Sequence, residues 1–327
     1  MPATIKPAAL MPGGRIAVVA TASPAEPDRV RKGVEELQRL GYRVAPSAGA
    51  LTPEGYFAGS ITGRRSELLA ALDDPDCAAV IAARGGYGST YLLDGLETSL
   101  PASPKILLGH SDLTCLQVYL WQKRGWVTFY GPMVAAGFDQ GAEAAGGYDH
   151  NSFQSAVVQS ERGWALDLGG EAIVSGDAEG VLLGGCLTLI RSTIGTPWEL
   201  DTRGTILLLE DRALKPYQMD RALMHLKQAG KFAGVKGIIL GEFPEWGTAG
   251  EQEGTPRAVA VRVLGALGIP VVWGAAVGHT PRPMLTLPLG IRCRLRATRS
   301  GLLEFLEVAV TSLKLRVVPR QKEGGQA

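Results

Sequence analysis

Three short apolar runs in the first half of the chain, Ile16–Ala20, Ala78–Ala83 and Ile106–Leu108, each break off into polar or glycine-rich residues and give way to a helical stretch. This rhythm constrains the fold more than any other feature. Asp28–Leu40 reads as a helix closing at Gly41, and Tyr42–Ala45 as a second strand. Thr62–Leu72, with Leu68, Leu69 and Leu72 apolar among charged neighbours, reads as another helix. Strands alternating with helices predict an α/β fold, a parallel sheet covered by helices on both faces. In such sheets the active crevice lies at the carboxyl ends of the strands.

A polar, glycine-rich region, Asp139–Asn151, interrupts the pattern, and a second turn-rich segment, Gly169–Gly180, follows. The expected division is therefore an N-terminal domain over 1–165, a linker at 166–177 and a C-terminal domain over 178–318. In the second half, strands are expected at Thr205–Leu209, Gly237–Leu240 and Val271–Trp273, and helices at Tyr217–Ala229 and Ala258–Leu267. Ile291–Ala297 and Leu302–Val310 read as paired strands, and the polar end, Pro319–Ala327, as frayed.

Composition narrows the function classes. A chain of 327 residues with 46% hydrophobic and 20% charged residues can bury substantial cores. With 33 Lys and Arg against 32 Asp and Glu, and no basic stripe, nucleic acid is not an expected partner. The four cysteines, Cys77, Cys115, Cys186 and Cys293, lack metal or redox spacing and read as buried reduced thiols. No signal peptide and no membrane-length apolar run stand out, so the expected setting is cytoplasmic, without a membrane partner.

Chemistry could reside in three places. In KILLGHSDLTCL an apolar strand runs into Gly109-His110-Ser111-Asp112 and then a helix, the placement of a nucleophile elbow, although Leu113 replaces the second glycine of G-x-S-x-G. The bland alternative is that Ser111 or Asp112 caps the helix. In AAVIAARGGYGST, Gly85 and Gly86 follow a buried strand and could offer N–H groups to an oxyanion, where a plain turn is the default. The third is a pair of segments. TILLLED ends a strand with Glu210 and Asp211, and AAVGHTPRP presents His279 after another. A hydroxyl nucleophile needs such a base, and the base needs an acceptor to fix its tautomer. Among the other histidines, His110 adjoins Ser111 and is expected to point away from it, His150 lies in a polar turn, and His225 lies in a helix pattern. No metal-ligand pattern is present, so neither metal nor cofactor is expected.

Together these motifs resemble the LD-carboxypeptidase family, which includes the microcin C self-immunity hydrolases. The likeness runs from LMPGGRIAVVATASP to HTPRPMLTLPLG. It implies a Rossmann-like N-terminal domain, a smaller α/β C-terminal domain and a serine mechanism with Ser111 as nucleophile, His279 as base and Glu210 as its partner. The RGGYGS loop implies an oxyanion hole from Gly86 N–H with Asp112 N–H as second donor. It further implies a homodimer that releases D-alanine from murein tetrapeptides during wall recycling. Arg84, Arg191, Arg212 and Arg282 are candidate grips for the substrate carboxylate. The chain departs from the family pattern at Tyr91, Cys186 and Leu214, where Arg, Asn and Glu are usual. Two alternatives stay open. One is an immunity hydrolase for peptidyl-nucleotides, with Trp198 as a base-stacking platform. The other is a non-catalytic protein that binds an anionic ligand.

Overall fold

The computed structural model describes residues 2–45, 53–158, 163–247 and 254–312. The expected rhythm is present in the first half. β1 (Arg15–Val19), α1 (Pro27–Arg39), β2 (Arg43–Ala45), α2 (Ile61–Asp73), β3 (Cys77–Ala82), β4 (Ile106–Gly109), α3 (Thr114–Arg124), β5 (Thr128–Tyr130) and α4 (His150–Val157) follow in order. β3 and β4 are short apolar runs buried almost throughout, as expected of strands covered on both faces. α1 begins with Pro27 at its first position, where the missing N–H costs nothing, and turns Val30, Gly33 and Leu37 inward. The expected frayed end, Pro319–Ala327, lies outside the described residues.

In the second half, β6 (Ala165–Val174), β7 (Gly176–Cys186), α5 (Leu187–Ser192), β8 (Thr205–Glu210), α6 (Pro216–Gln228), β9 (Gly237–Gly241), α7 (Pro256–Leu264) and β10 (Val271–Ala275) are followed by β11 (Leu287–Leu289), β12 (Arg292–Ala297) and β13 (Ser300–Phe305). The N-terminal sheet has the order β11-β5-β4-β3-β1-β2, parallel except for β11. Strands β10-β6-β13-β12-β7-β8-β9 close into a barrel. The α/β class with a Rossmann-like first sheet is thus the observed fold. Among the described residues no helix is long and apolar enough to cross a membrane.

Two expectations change. Residues 166–177 are not a linker: they form most of β6 and the start of β7, which pair not with each other but with β10 and β13, and with β12 and β8, in the barrel wall. Most β6 side chains are exposed or half-buried, so the strand carries no apolar run, and barrel closure rather than burial satisfies its backbone. The chain is also not cut cleanly in two. β11, from the C-terminal half, pairs antiparallel with β5 and completes the first sheet, and its Pro288 is tolerated because this is an edge strand. The paired end strands are present, but β13 stops at Phe305 rather than Val310. All four cysteines are free and buried, and burial pushes the Cys115 thiol up to about 12.

Candidate active site

β4 ends at Gly109, and the chain turns sharply before α3 begins. Ser111 sits in that turn with φ 63°, a left-handed conformation uncommon for a residue with a Cβ. The Gly85–Gly86 loop after β3 packs directly against it. A Cβ on Gly85 would lie 2.9 Å from Ser111 Cβ, and one on Gly86 would lie 2.3 Å from Ser23 Oγ. Glycine is therefore required at 85 for the loop to reach Ser111 and at 86 for it to pass Ser23.

Asp112, next in the turn, is fully buried and ties the loop down. Its carboxylate accepts from Gly88 N–H at 3.2 Å and Ser89 N–H at 2.7 Å. Tyr87 N–H donates to Ser23 Oγ at 3.2 Å. The amides after Gly86 are thus committed, while Gly86, which lines the same cavity as Ser111, is the loop's candidate donor.

The acid and the histidine come from the barrel. Glu210 ends β8 with its side chain completely buried. It accepts from His279 Nδ1 at 2.8 Å and from His279 backbone N–H at 2.8 Å, both on Oε2. Its other oxygen accepts from the Tyr130 hydroxyl at 2.5 Å, and that hydroxyl accepts from Ser111 N–H at 3.2 Å. Gly278 makes the contact possible, since a Cβ there would lie 2.3 Å from Glu210 Cδ. Because a carboxylate can only accept, Nδ1 carries the proton and Nε2 keeps a free lone pair. Burial alone would lower the His279 pKa, but the Glu210 carboxylate outweighs it and raises it above the ordinary imidazole value. Burial opposes ionisation of Glu210 as well, yet His279 holds its carboxyl below the usual carboxylate range.

Ser111, His279, Gly85 and Gly86 line one cavity of about 220 Å³, together with His110, Arg84 and Arg212. Arg29, His110, Ala136, Arg212 and His279 also line an adjoining cavity of about 480 Å³. Such an arrangement can attack a carbonyl with a hydroxyl, remove its proton through an oriented imidazole and hold the oxyanion on backbone amides.

Residues 16–131 match the sequence profile of the LD-carboxypeptidase N-terminal domain, and residues 179–295 that of its C-terminal domain. This chain belongs to the LD-carboxypeptidase family. A probable murein peptide carboxypeptidase of Bacillus subtilis is 33% identical over 91% of this chain and 94% of its own. The microcin C7 self-immunity protein of Escherichia coli is 30% identical over 81% of this chain and 84% of its own. Among solved structures, muramoyltetrapeptide carboxypeptidase from Oxalobacter formigenes superposes with TM-score 0.79 at 31% identity, covering 90% of this chain and 99% of that one. The microcin immunity protein in complex with glutamyl sulfamoyl guanosine gives 0.85 at 26% identity, over 94% and 100% of the two chains.

Within this LD-carboxypeptidase fold several sequence expectations are redirected. His110 does not point away from Ser111 but lines the same cavity, because the left-handed turn at Ser111 breaks the strand alternation on which that expectation rests. Its Nδ1 donates to Gly131 carbonyl at 2.9 Å, and burial, with the adjacent His279, lowers its pKa to about 4. His110 is therefore a neutral wall of the site. His150 opens α4 rather than lying in a turn.

Arg282 lines neither cavity. It donates to Glu242 at 3.0 Å and to the carbonyls of Gly169 and Gly274, stitching the barrel. Arg191 donates to His225 at 3.3 Å on the outside of α5 and α6. Trp198 is half-buried against the cluster containing Leu116 and Leu189. Tyr130 and Arg29 escaped the sequence reading. A tyrosine ending a short apolar strand before glycine was the available signal for the first; Arg29 gave none.

Proposed function

We propose that this carboxypeptidase-type hydrolase is a serine enzyme that cleaves an L,D-peptide bond and releases terminal D-alanine from a murein tetrapeptide in cell-wall recycling. The observation that carries the reading is the buried Glu210 holding His279 in the working tautomer beside a cavity that Ser111 also lines. In the proposed reaction Ser111 Oγ attacks the carbonyl of the third residue while His279 Nε2 takes the hydroxyl proton. Gly86 and Asp112 N–H groups stabilise the oxyanion. Collapse breaks the C–N bond, and His279 returns the proton to the leaving amine of D-alanine. Water, deprotonated by the same histidine, then hydrolyses the ester and restores Ser111. A cytoplasmic homodimer completes the reading, and fractionation and sedimentation measure both points.

Stereospecificity is the direct test. With the carbonyl held by Ser111 and the loop amides, inverting the leaving residue exchanges its methyl and hydrogen relative to a carboxylate gripped by arginine. Either the methyl clashes or the carboxylate loses its partner. The kcat/KM for L-Ala–γ-D-Glu–L-diaminopimelate–D-Ala is expected to exceed that for the L-alanine diastereomer by on the order of 100-fold or more. Comparable values would move the assignment to a peptidyl-nucleotide hydrolase, the reading suggested by the likeness to the microcin immunity protein. The packing of Trp198 into the protein, rather than over the cavity, supports the peptide reading.

The pH profile follows from the electrostatics. His279 must be neutral to accept the serine proton, and Glu210 raises its pKa. The kcat/KM should therefore rise with pH, with its midpoint above the ordinary imidazole value of 6.5, and level off beyond it. A midpoint well below that value would remove the paired histidine from the role of base.

A further inference from the structure

Arg29 belongs to none of the motifs that point to the serine, yet it stands where the two cavities join. It lies in the first turn of α1 and lines both cavities, as do Arg212 and His279. Its Nε donates at 2.6 Å to Asp139, whose side chain is completely buried. Asp139 is itself held by Gly137 N–H at 3.0 Å and the Gln140 side chain at 2.8 Å. The guanidinium is thus anchored from behind through Nε, while its Nη pair is not used by that anchor. An arginine oriented in this way can grip a carboxylate with two parallel hydrogen bonds at little further entropic cost.

Resting on the serine carboxypeptidase reading, we infer that Arg29 is the residue that recognises the C-terminal carboxylate of the substrate and so makes the enzyme an exopeptidase. The leaving amine must come to His279 to receive its proton, and the terminal carboxylate is one carbon away from that amine. It must therefore lie close to His279, and among the described residues the lysines and arginines that share both cavities with His279 are Arg29 and Arg212. Arg212 is paired with Glu245, which itself lines the larger cavity, so an incoming carboxylate would meet a like charge beside it. The anchor of Arg29 is instead out of reach beneath the surface. Arg84 lines the smaller cavity but not the larger, and one of its Nη groups already donates to the Pro24 carbonyl at 3.1 Å. The carboxylate grip therefore falls to a residue more than eighty positions before the serine.

Binding can be measured without turnover. In the full-length Ser111→Ala protein, titration calorimetry with the tetrapeptide free acid and with its C-terminal amide reads recognition of the carboxylate alone. The acid is expected to bind about 30-fold more tightly than the amide. Adding Arg29→Met should abolish that preference by weakening the acid and sparing the amide. Arg29→Lys should restore part of it, and Arg212→Met should leave most of it.

A preserved acid preference in a folded Arg29→Met protein would overturn the inference, as would failure of the Ser111→Ala protein to prefer the acid. Failure of the function itself looks different: the acid preference would depend on Arg29, while the wild-type enzyme released no D-alanine.

Discussion

Replacing Ser111 by alanine is expected to lower kcat for tetrapeptide hydrolysis by about 10⁴-fold or more while leaving the protein folded, because the members of such a triad act as one unit. The change deletes one hydroxyl from a half-buried position whose backbone N–H bond to Tyr130 remains. Turnover and labelling by a fluorophosphonate probe should vanish together. Near-normal hydrolysis by the purified variant would show that the nucleophile is another group. The same position makes a prediction about stability. At φ 63° any side chain with a Cβ is strained, by about 1–2 kcal/mol. Ser111→Gly removes that strain, so it should be as inactive as the alanine variant yet more resistant to heat than either. A lower melting temperature for the glycine variant would mean that the turn is not held under strain at all.

Glu210→Gln is expected to cost about 10³- to 10⁴-fold in kcat, and Asp211→Asn no more than several-fold. The two acids are neighbours, but their surroundings differ. Glu210 accepts both the ring and the backbone N–H of His279 on one oxygen and the Tyr130 hydroxyl on the other. A glutamine can keep some of these bonds, but its NH₂ can face Nδ1 only if that nitrogen gives up its proton, which turns the imidazole to the wrong tautomer. Asp211 turns elsewhere: its carboxylate accepts from Thr188 N–H and Arg212 N–H, each at 2.8 Å. Asparagine retains one good acceptor there, so the loss falls on stability, by about 1 kcal/mol, rather than on rate. Measuring kcat and the denaturant midpoint for both variants separates the effects, and equal or reversed losses in kcat would sink the assignment of Glu210.

Much of the first sheet was legible because its strands are buried on both faces. β3 and β4 carry unbroken apolar residues, and α1 shows its inward face at helical spacing, so local pattern and tertiary position agree. Strands β6 and β7 were not legible, since strands exposed along much of their length and rich in glycine look like turns when read alone. β11 offers three residues including a proline, too few for any periodicity, and becomes a strand only because β5 provides an edge.

The order of the motifs, and through family resemblance the identities of Ser111, Glu210 and His279 as candidates, came from the sequence alone. So did the choice of Glu210 over Asp211: alternation along a strand lets only one of the two face the histidine, and the family resemblance picks Glu210. Their meeting did not. Ser111 follows a strand of the open sheet, whereas Glu210 ends one strand of the barrel and His279 follows another, and the Tyr130 hydroxyl joins the two by bonding both Ser111 and Glu210.

Tertiary structure alone also decided which arginines have work left to do. Arg282 is consumed by barrel carbonyls and Glu242, while Arg29 is turned to the cavities by a buried aspartate 110 positions away. The physical reason is range. Hydrophobic period and turn chemistry act over a few residues and are written in the local sequence. Side chains from distant segments meet through strand register, barrel closure and buried hydrogen bonds, none of which exists until the chain has folded.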